Sequence, residues 1–181
     1  MRKMVLLRNV RHRVRQQGAG LIEVLVAVLV VTVGLLGAAG MHLRSVEYTL
    51  DTERRQMAAM VAAELLETMR SDSNTVLDWA TGLPKSDLGG YQKDASDELT
   101  TVTEDDFRPL ATSPAKRLGC WGERAKKLMP EVSDDLLTDH FVVHAAATGV
   151  VSVTVAWPVK AGQCLDGTEN EFCTYTLQSR I

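Results

Sequence analysis

Three stretches of this 181-residue chain are defined by what they leave out. Residues 1–18 contain no Asp or Glu beside six Lys/Arg: Arg2, Lys3, Arg8, Arg11, Arg13 and Arg15. Val24 to Met41 contains no charged residue, and Thr32 is its one departure from apolar or small side chains. No proline occurs before Pro84. The first absence excludes a leader of balanced charge. Lys and Arg collect on the cytoplasmic flank, so the N-terminus is expected inside and the C-terminus across the membrane. The second excludes an ordinary solvated helix, because a run of this length is about enough to span a bilayer. The third leaves the helical pattern that follows without a breaker. A glycine-rich phosphate loop, a nucleophile elbow and a catalytic triad are also missing, so neither an enzyme nor a cofactor is expected.

What is present is divided by charge. The net charge of −3 combines a purely basic leader with 14 basic and 23 acidic residues after it. Residues 71–181 hold 10 basic and 17 acidic residues, a balance that opposes phosphate binding, so no nucleic-acid partner is expected. A C-terminal part beyond the inner membrane meets an oxidising compartment, and three cysteines (Cys120, Cys164, Cys173) suit it with one left over.

At the mouth of the apolar run stands Gln16-Gln17-Gly18-Ala19-Gly20-Leu21-Ile22-Glu23. Glu23 is a lone carboxylate beside hydrocarbon, a placement that is costly and points to a role. A cleaved secretory signal ending at Gly37-Ala38-Ala39-Gly40, or a plain anchor, explains the apolar run but not Glu23. Gly18-Ala19-Gly20-Leu21-Ile22-Glu23-Val24-Leu25-Val26-Ala27 closely resembles the class III signal of type IV pilins and type II secretion pseudopilins. The resemblance implies cleavage by a prepilin peptidase between Gly18 and Ala19, N-methylation of Ala19, and an assembly role for Glu23. Ala19 departs from the Phe usual at that position. Val33-Gly34-Leu35-Leu36-Gly37-Ala38-Ala39-Gly40-Met41 resembles PilV-type minor pilins, the type IV pilus modification group. Major pilins usually carry a proline in this helix, and this chain does not.

The resemblance implies an α+β pilin fold, a long N-terminal helix on a small antiparallel sheet. Its expected parts are a leader 1–18, a membrane and polymerisation half-helix 19–41, an amphipathic half-helix 42–70, and a periplasmic head 71–181. It also implies a subunit stored in the inner membrane and then built into the pilus at the cell surface. There it would meet major and other minor pilins through the N-terminal helix, in a tip or priming complex that supports assembly, adhesion or twitching motility. The nearest alternative is a minor pseudopilin of type II secretion. An alternative of another class is a membrane-anchored periplasmic binding module that never polymerises.

The residues give parts of this independently. Leu43, Val46, Leu50, Met57, Val61, Leu65 and Met69 recur at helical spacing, with Asp51 and Arg55 as an i,i+4 pair on the wet side and Ser71 to Asn74 as a stop. Gly34, Gly37 and Gly40 let transmembrane helices approach closely, or soften the segment. Val151–Val159 and Cys173–Ile181 alternate as strands, with Pro158 at a strand end and Phe141–Ala145 as a weaker third. A Cys164–Cys173 bridge closing their connection is the preferred pairing, and bridges from Cys120 remain open. Between the helix and the strands, Lys93 to Asp106 looks like loop, and Trp121–Met129 is read as a short helix ended by Pro130. His140 and His144 lack a local third ligand for zinc, and Asp166–Glu171 lacks the alternation of a calcium loop, so no metal is expected. Glu104-Asp105-Asp106 reads as a solvated acidic patch. Lys116, Arg117, Arg124, Lys126 and Lys127 read as the solvated basic face of a helix.

Overall fold

The structure, a computed structural model, describes residues 19–107, 113–164 and 167–181. It is α+β: a long N-terminal helix packs on a small antiparallel sheet, consistent with the pilin-like fold expected from the sequence. Helix α1 spans Ala19–Ser71, and a short α2 (Ser73–Val76) follows. The chain divides into two units, one ending at Glu47 and the other Tyr48–Ile181.

In the second unit α1 buries the face predicted by the heptad-like spacing. Ala58, Val61, Ala62, Leu65 and Met69 are almost wholly excluded from solvent. Leu50, at 46 % exposure, lies outside this core, and Met57 is only partly buried against it. The opposing surface is a three-stranded sheet of β3 (Val142–Ala145), β4 (Val150–Pro158) and β5 (Phe172–Arg180), ordered β3-β4-β5 and antiparallel throughout. Val151, Val153, Val155 and Trp157 point into the core at every second position. Pro158 ends the central strand. Since β3 reaches only to Thr154, the missing N–H of Pro158 breaks no ladder. Arg55 lies over the Trp157 ring, opposite Cys173 in the β4–β5 register, and Arg70 donates to Ser179 Oγ and Arg180 O. Fifteen helical residues rise about 22 Å and seven strand residues about 23 Å, so α1 runs parallel to β5 along the sheet.

The middle of the chain differs most from expectation. A two-residue hairpin, β1 (Leu77–Asp78) with β2 (Leu83–Pro84), holds Trp79 at its tip with 71 % exposure. Helix α3 spans Pro114–Leu128 and begins seven residues ahead of the predicted Trp121, because Ser113-Pro114 supplies an N-cap position and proline at the first helical turn. Helix α4 (Asp134–His140), absent from the sequence reading, starts where Ser133 Oγ accepts the Leu136 N–H at 3.2 Å. Trp121 locks α3 to α1: its Nε1–H donates to Val61 O at 2.8 Å, and its ring tilts on Phe141 at 5.5 Å.

Three local expectations need correction. Asp51 is not on the wet side. It is 8 % exposed, neither carboxylate oxygen has a hydrogen-bond partner, and Arg55 lies 6.0 Å from the Trp157 ring centroid. In the acidic triplet, which forms a 3-10 turn (Glu104–Phe107), Glu104 and Asp105 are exposed as expected and only Asp106 departs from a solvated patch. Asp106 accepts from Thr103 N at 2.9 Å, Thr103 Oγ1 at 3.0 Å and Lys116 Nζ at 2.6 Å. Those donors hold its carboxyl near pKa about 2. Nor is the basic cluster a free face. Arg117 pairs with Asp72 at 2.7 Å, Arg124 with Glu64 at 2.6 Å, and Lys126 with Glu123 and Asp134 at 2.6 and 2.8 Å. Lys127 sits 5.2 Å over the Phe107 ring.

Candidate functional site

The segment that carried the sequence signal opens α1. Gly18 lies outside the described residues, and Ala19, the first described residue, is helical. Glu23 follows one turn later, about 6 Å along the axis at 1.5 Å per residue, and is exposed. The first N–H groups of a helix have no intrahelical acceptor and carry the positive end of its dipole. If the chain began at Ala19, its amine would add a full positive charge at the same end.

Beyond Glu23 the helix meets almost nothing of its own chain. Every residue from Gly20 to Leu50 is exposed except Ala38, which is half-buried, and Leu21 and Leu36 are exposed to 77 % and 74 %. The segment is long and apolar enough to cross a membrane. Thr32 satisfies its hydroxyl within the helix by donating to Leu29 O at 2.8 Å, the arrangement a polar group needs in hydrocarbon. A Cβ added at Gly20, Gly34, Gly37 or Gly40 would meet no atom within 4 Å, so packing within this chain gives no reason for these glycines.

In the second unit, Cys164 and Cys173 are bonded with their Cα atoms 5.6 Å apart, joining the middle of the β4–β5 connection to the start of β5. Cys120 is a buried free thiol on α3. Burial, with the negative charge of Asp106 adding to it, raises its pKa. His140 ends α4 and stacks on Phe172 at 3.9 Å, whereas His144 is exposed on β3. No group of three or more metal-capable side chains occurs among the described residues. Asp166, part of the acidic loop considered for calcium, lies outside them.

Two buried polar clusters escaped the sequence reading. Asp72, just beyond α1, accepts from Tyr91 Oη at 3.0 Å, Arg117 Nη1 at 2.7 Å and Thr75 Oγ1 at 2.9 Å. Burial is the chief cause that raises the Tyr91 pKa, against the opposing pull of Arg117. Lys93 is 1 % exposed and donates from Nζ to Thr138 O at 2.6 Å and Asp94 O at 3.2 Å. Its backbone forms a two-way bridge with Val143, N to O at 3.0 Å and 2.8 Å. Lys93 read as loop because a lone bridge residue has no periodicity. Its only signal was a cation in an apolar setting that folding creates.

No family model, curated protein or solved structure matches the chain.

Proposed function

We propose that the chain is a minor pilin of the type IV pilus. In this reading prepilin peptidase cleaves it after Gly18 and methylates it at Ala19, and it is held in the inner membrane by the first half of α1. It then enters the pilus, in a tip or priming complex that supports assembly, adhesion or twitching motility. The observation that carries this reading is the opening of α1: Glu23 one turn in, followed by an uncharged helical span from Val24 to Met41 that its own chain leaves uncovered. A membrane anchor needs the span but not the carboxylate, and a cleaved signal needs neither the carboxylate nor a continuous helix to Ser71. A stack of such helices uses all three. The amine of one subunit pairs with Glu23 of another at similar depth, and Gly34, Gly37 and Gly40 offer backbone surface for close approach. Removing one partner from a buried ion pair costs about 3–5 kcal/mol, so the pair fixes axial register strongly.

Mass spectrometry of sheared pili and of membranes tests the reading. The expected N-terminus is Ala19, methylated, in both fractions. An intact Met1, or a start near Gly40, rejects it. Glu23→Ala is expected to leave the protein abundant in the membrane and to remove it from pili, and normal incorporation would refute the assembly role.

A further inference from the structure

Residues 97–103 form neither helix, strand nor turn, yet they are fitted closely to α3. A Cβ added at Gly122 would overlap Leu99 Cδ1, and one at Gly119 would overlap Thr100 O and stand 2.8 Å from Val102 Cγ1. Glycine within a helix is destabilising relative to alanine. Gly119 and Gly122 therefore mark a track on α3 shaped to receive another stretch of backbone. Leu99 packs against the core beside this track, Val102 is half-buried, and Thr100 and Thr101 are exposed.

The segment is seated but loosely held. Its ends are fixed where Asp94 N–H donates to Asp97 Oδ2 and Thr103 N–H to Asp106 Oδ2, both at 2.9 Å. Between them the backbone of residues 98–102 makes no hydrogen bond among the described residues. Hollows of about 350 and 240 Å³ flank it, and Glu98, Leu99 and Thr100 line both. A stretch with few hydrogen bonds and two apolar anchors opens well before the whole fold does. Its charge also opposes its seat. In the larger hollow Glu98 stands with Glu123, Asp134 and Asp135 against one ammonium, that of Lys126, which already pairs with Glu123 at 2.6 Å and Asp134 at 2.8 Å. In the smaller one the cation is Lys93, whose Nζ is committed to Thr138 O and Asp94 O. A carboxylate at position 98 is repelled there, and a cation would be attracted.

We propose that residues 98–102 are a displaceable strap over a peptide-binding groove on α3. The partner is a segment of another polypeptide that keeps apolar side chains at the Leu99 and Val102 positions and carries Lys or Arg at that of Glu98. The strap shows what the groove accepts, and the surrounding carboxylates show how a competitor improves on it. A strap from a second copy brings the same carboxylate, so charge selects a different polypeptide. The groove lies wholly within the second unit and does not depend on polymerisation through α1, so failure of this inference is distinct from failure of the pilin reading.

The test uses the full chain in detergent micelles. The probe is a fluorescent synthetic peptide copying residues 97–103 with arginine in place of Asp97 and Glu98. Saturable binding by fluorescence anisotropy is expected. The unaltered peptide, and a basic one with serine in place of Leu99 and Val102, should each bind at least about tenfold more weakly. Displacement is read with a glutamate-specific endopeptidase, because the basic probe contains no glutamate. Cleavage after Glu98 should accelerate roughly tenfold or more when the probe is bound. Glu98→Arg gives the strap the matching charge, so the melting temperature should not fall while probe affinity drops about tenfold. The wild-type measurements decide alone should Glu98→Arg not fold. No saturable binding, binding indifferent to loss of the apolar pair, cleavage at Glu98 unchanged by the probe, or undiminished affinity in folded Glu98→Arg overturns the proposal. Equal affinity for the unaltered peptide also overturns it and assigns the groove to a second copy's strap.

Discussion

Lys93→Met removes a buried charge while keeping the length and apolar stem of the side chain. Two effects oppose each other. Desolvating an ammonium is costly, and replacing a buried ion pair as a unit by apolar residues is often neutral or stabilising. Here only one partner is removed. Thr138 O loses its 2.6 Å donor and keeps the Ser96 N–H at 3.1 Å, and Asp94 O loses its contact at 3.2 Å and keeps the Asp97 N–H at 3.3 Å. Hydrogen bonds to charged groups contribute about 1.5–3 kcal/mol each, and no added penalty for an unsatisfied acceptor applies because both carbonyls keep a backbone donor. Set against the relief of desolvation, a net loss of about 2–3 kcal/mol is expected, or about 6–15 °C in Tm for a unit of this size. The pH dependence provides a separate check. Burial lowers the Lys93 pKa below its ordinary 10.5, against the pull of Asp97, Asp139 and Asp94. Between the lowered value and 10.5 the unfolded chain keeps a proton that the folded chain has lost, so Lys93 makes stability rise with pH across that window. Tyr91, whose pKa is raised, acts in the opposite sense but is common to both proteins. The gap between wild type and Lys93→Met should therefore widen as pH rises through the window. Urea unfolding of the full chain in micelles, followed by circular dichroism at several pH values, measures both. A variant within 0.5 kcal/mol of wild type, or a gap that narrows, would refute the reasoning.

Other expectations follow from single contacts. Trp121→Phe keeps a ring beside Phe141 but loses the donation to Val61 O, and should cost about 1 kcal/mol in urea unfolding with the slope unchanged. Paired Cys164→Ser and Cys173→Ser changes open a nine-residue loop and should cost about 2.5 kcal/mol in the chain-entropy model, read as a lower Tm under oxidising conditions. Asp106, with its carboxyl held near about 2, contributes stability that is present above its ordinary 3.8 and lost as pH falls through about 2. Asp106→Asn should therefore flatten the acid limb of the unfolding profile, and an unchanged limb would count against the Thr103–Lys116 clamp. Asp51→Leu removes two buried oxygens without partners and should raise Tm by a few degrees. A fall in Tm would mean that the carboxylate is satisfied in solution.

The extent to which the sequence was legible depended on whether a signal repeated. Val61, Leu65 and Met69 recur at helical spacing and form one wall of the core, while Val151, Val153, Val155 and Trp157 recur at period 2 and form the other. Each residue repeats the evidence of its neighbour, so those elements were readable to within one or two positions. The glycine–glutamate signal was readable for another reason, since a charge beside hydrocarbon is conspicuous without any fold. What escaped was polar and nonlocal. Asp51 and Arg55 obey the i,i+4 rule for a solvated pair, yet the burial of Asp51 and the approach of Trp157 to Arg55 depend on how the sheet meets the helix, which no helical wheel contains. Lys93, Asp106 and Asp72 read as loop charges because their partners lie in other elements: Thr138 on α4, Lys116 and Arg117 on α3. The basic run on α3 was misjudged for the same reason. Its cations are spaced like a solvated face, but Glu64 on α1, Asp72 beyond it and Asp134 on α4 come to meet them. These ties join α3 to α1 and α4 around the buried Trp121, and they use the charge that a sequence reading assigns to solvent. Hydrophobic periodicity thus identified the two walls of the head, whereas the charges that fasten the intervening elements to them become intelligible only after those walls are assembled.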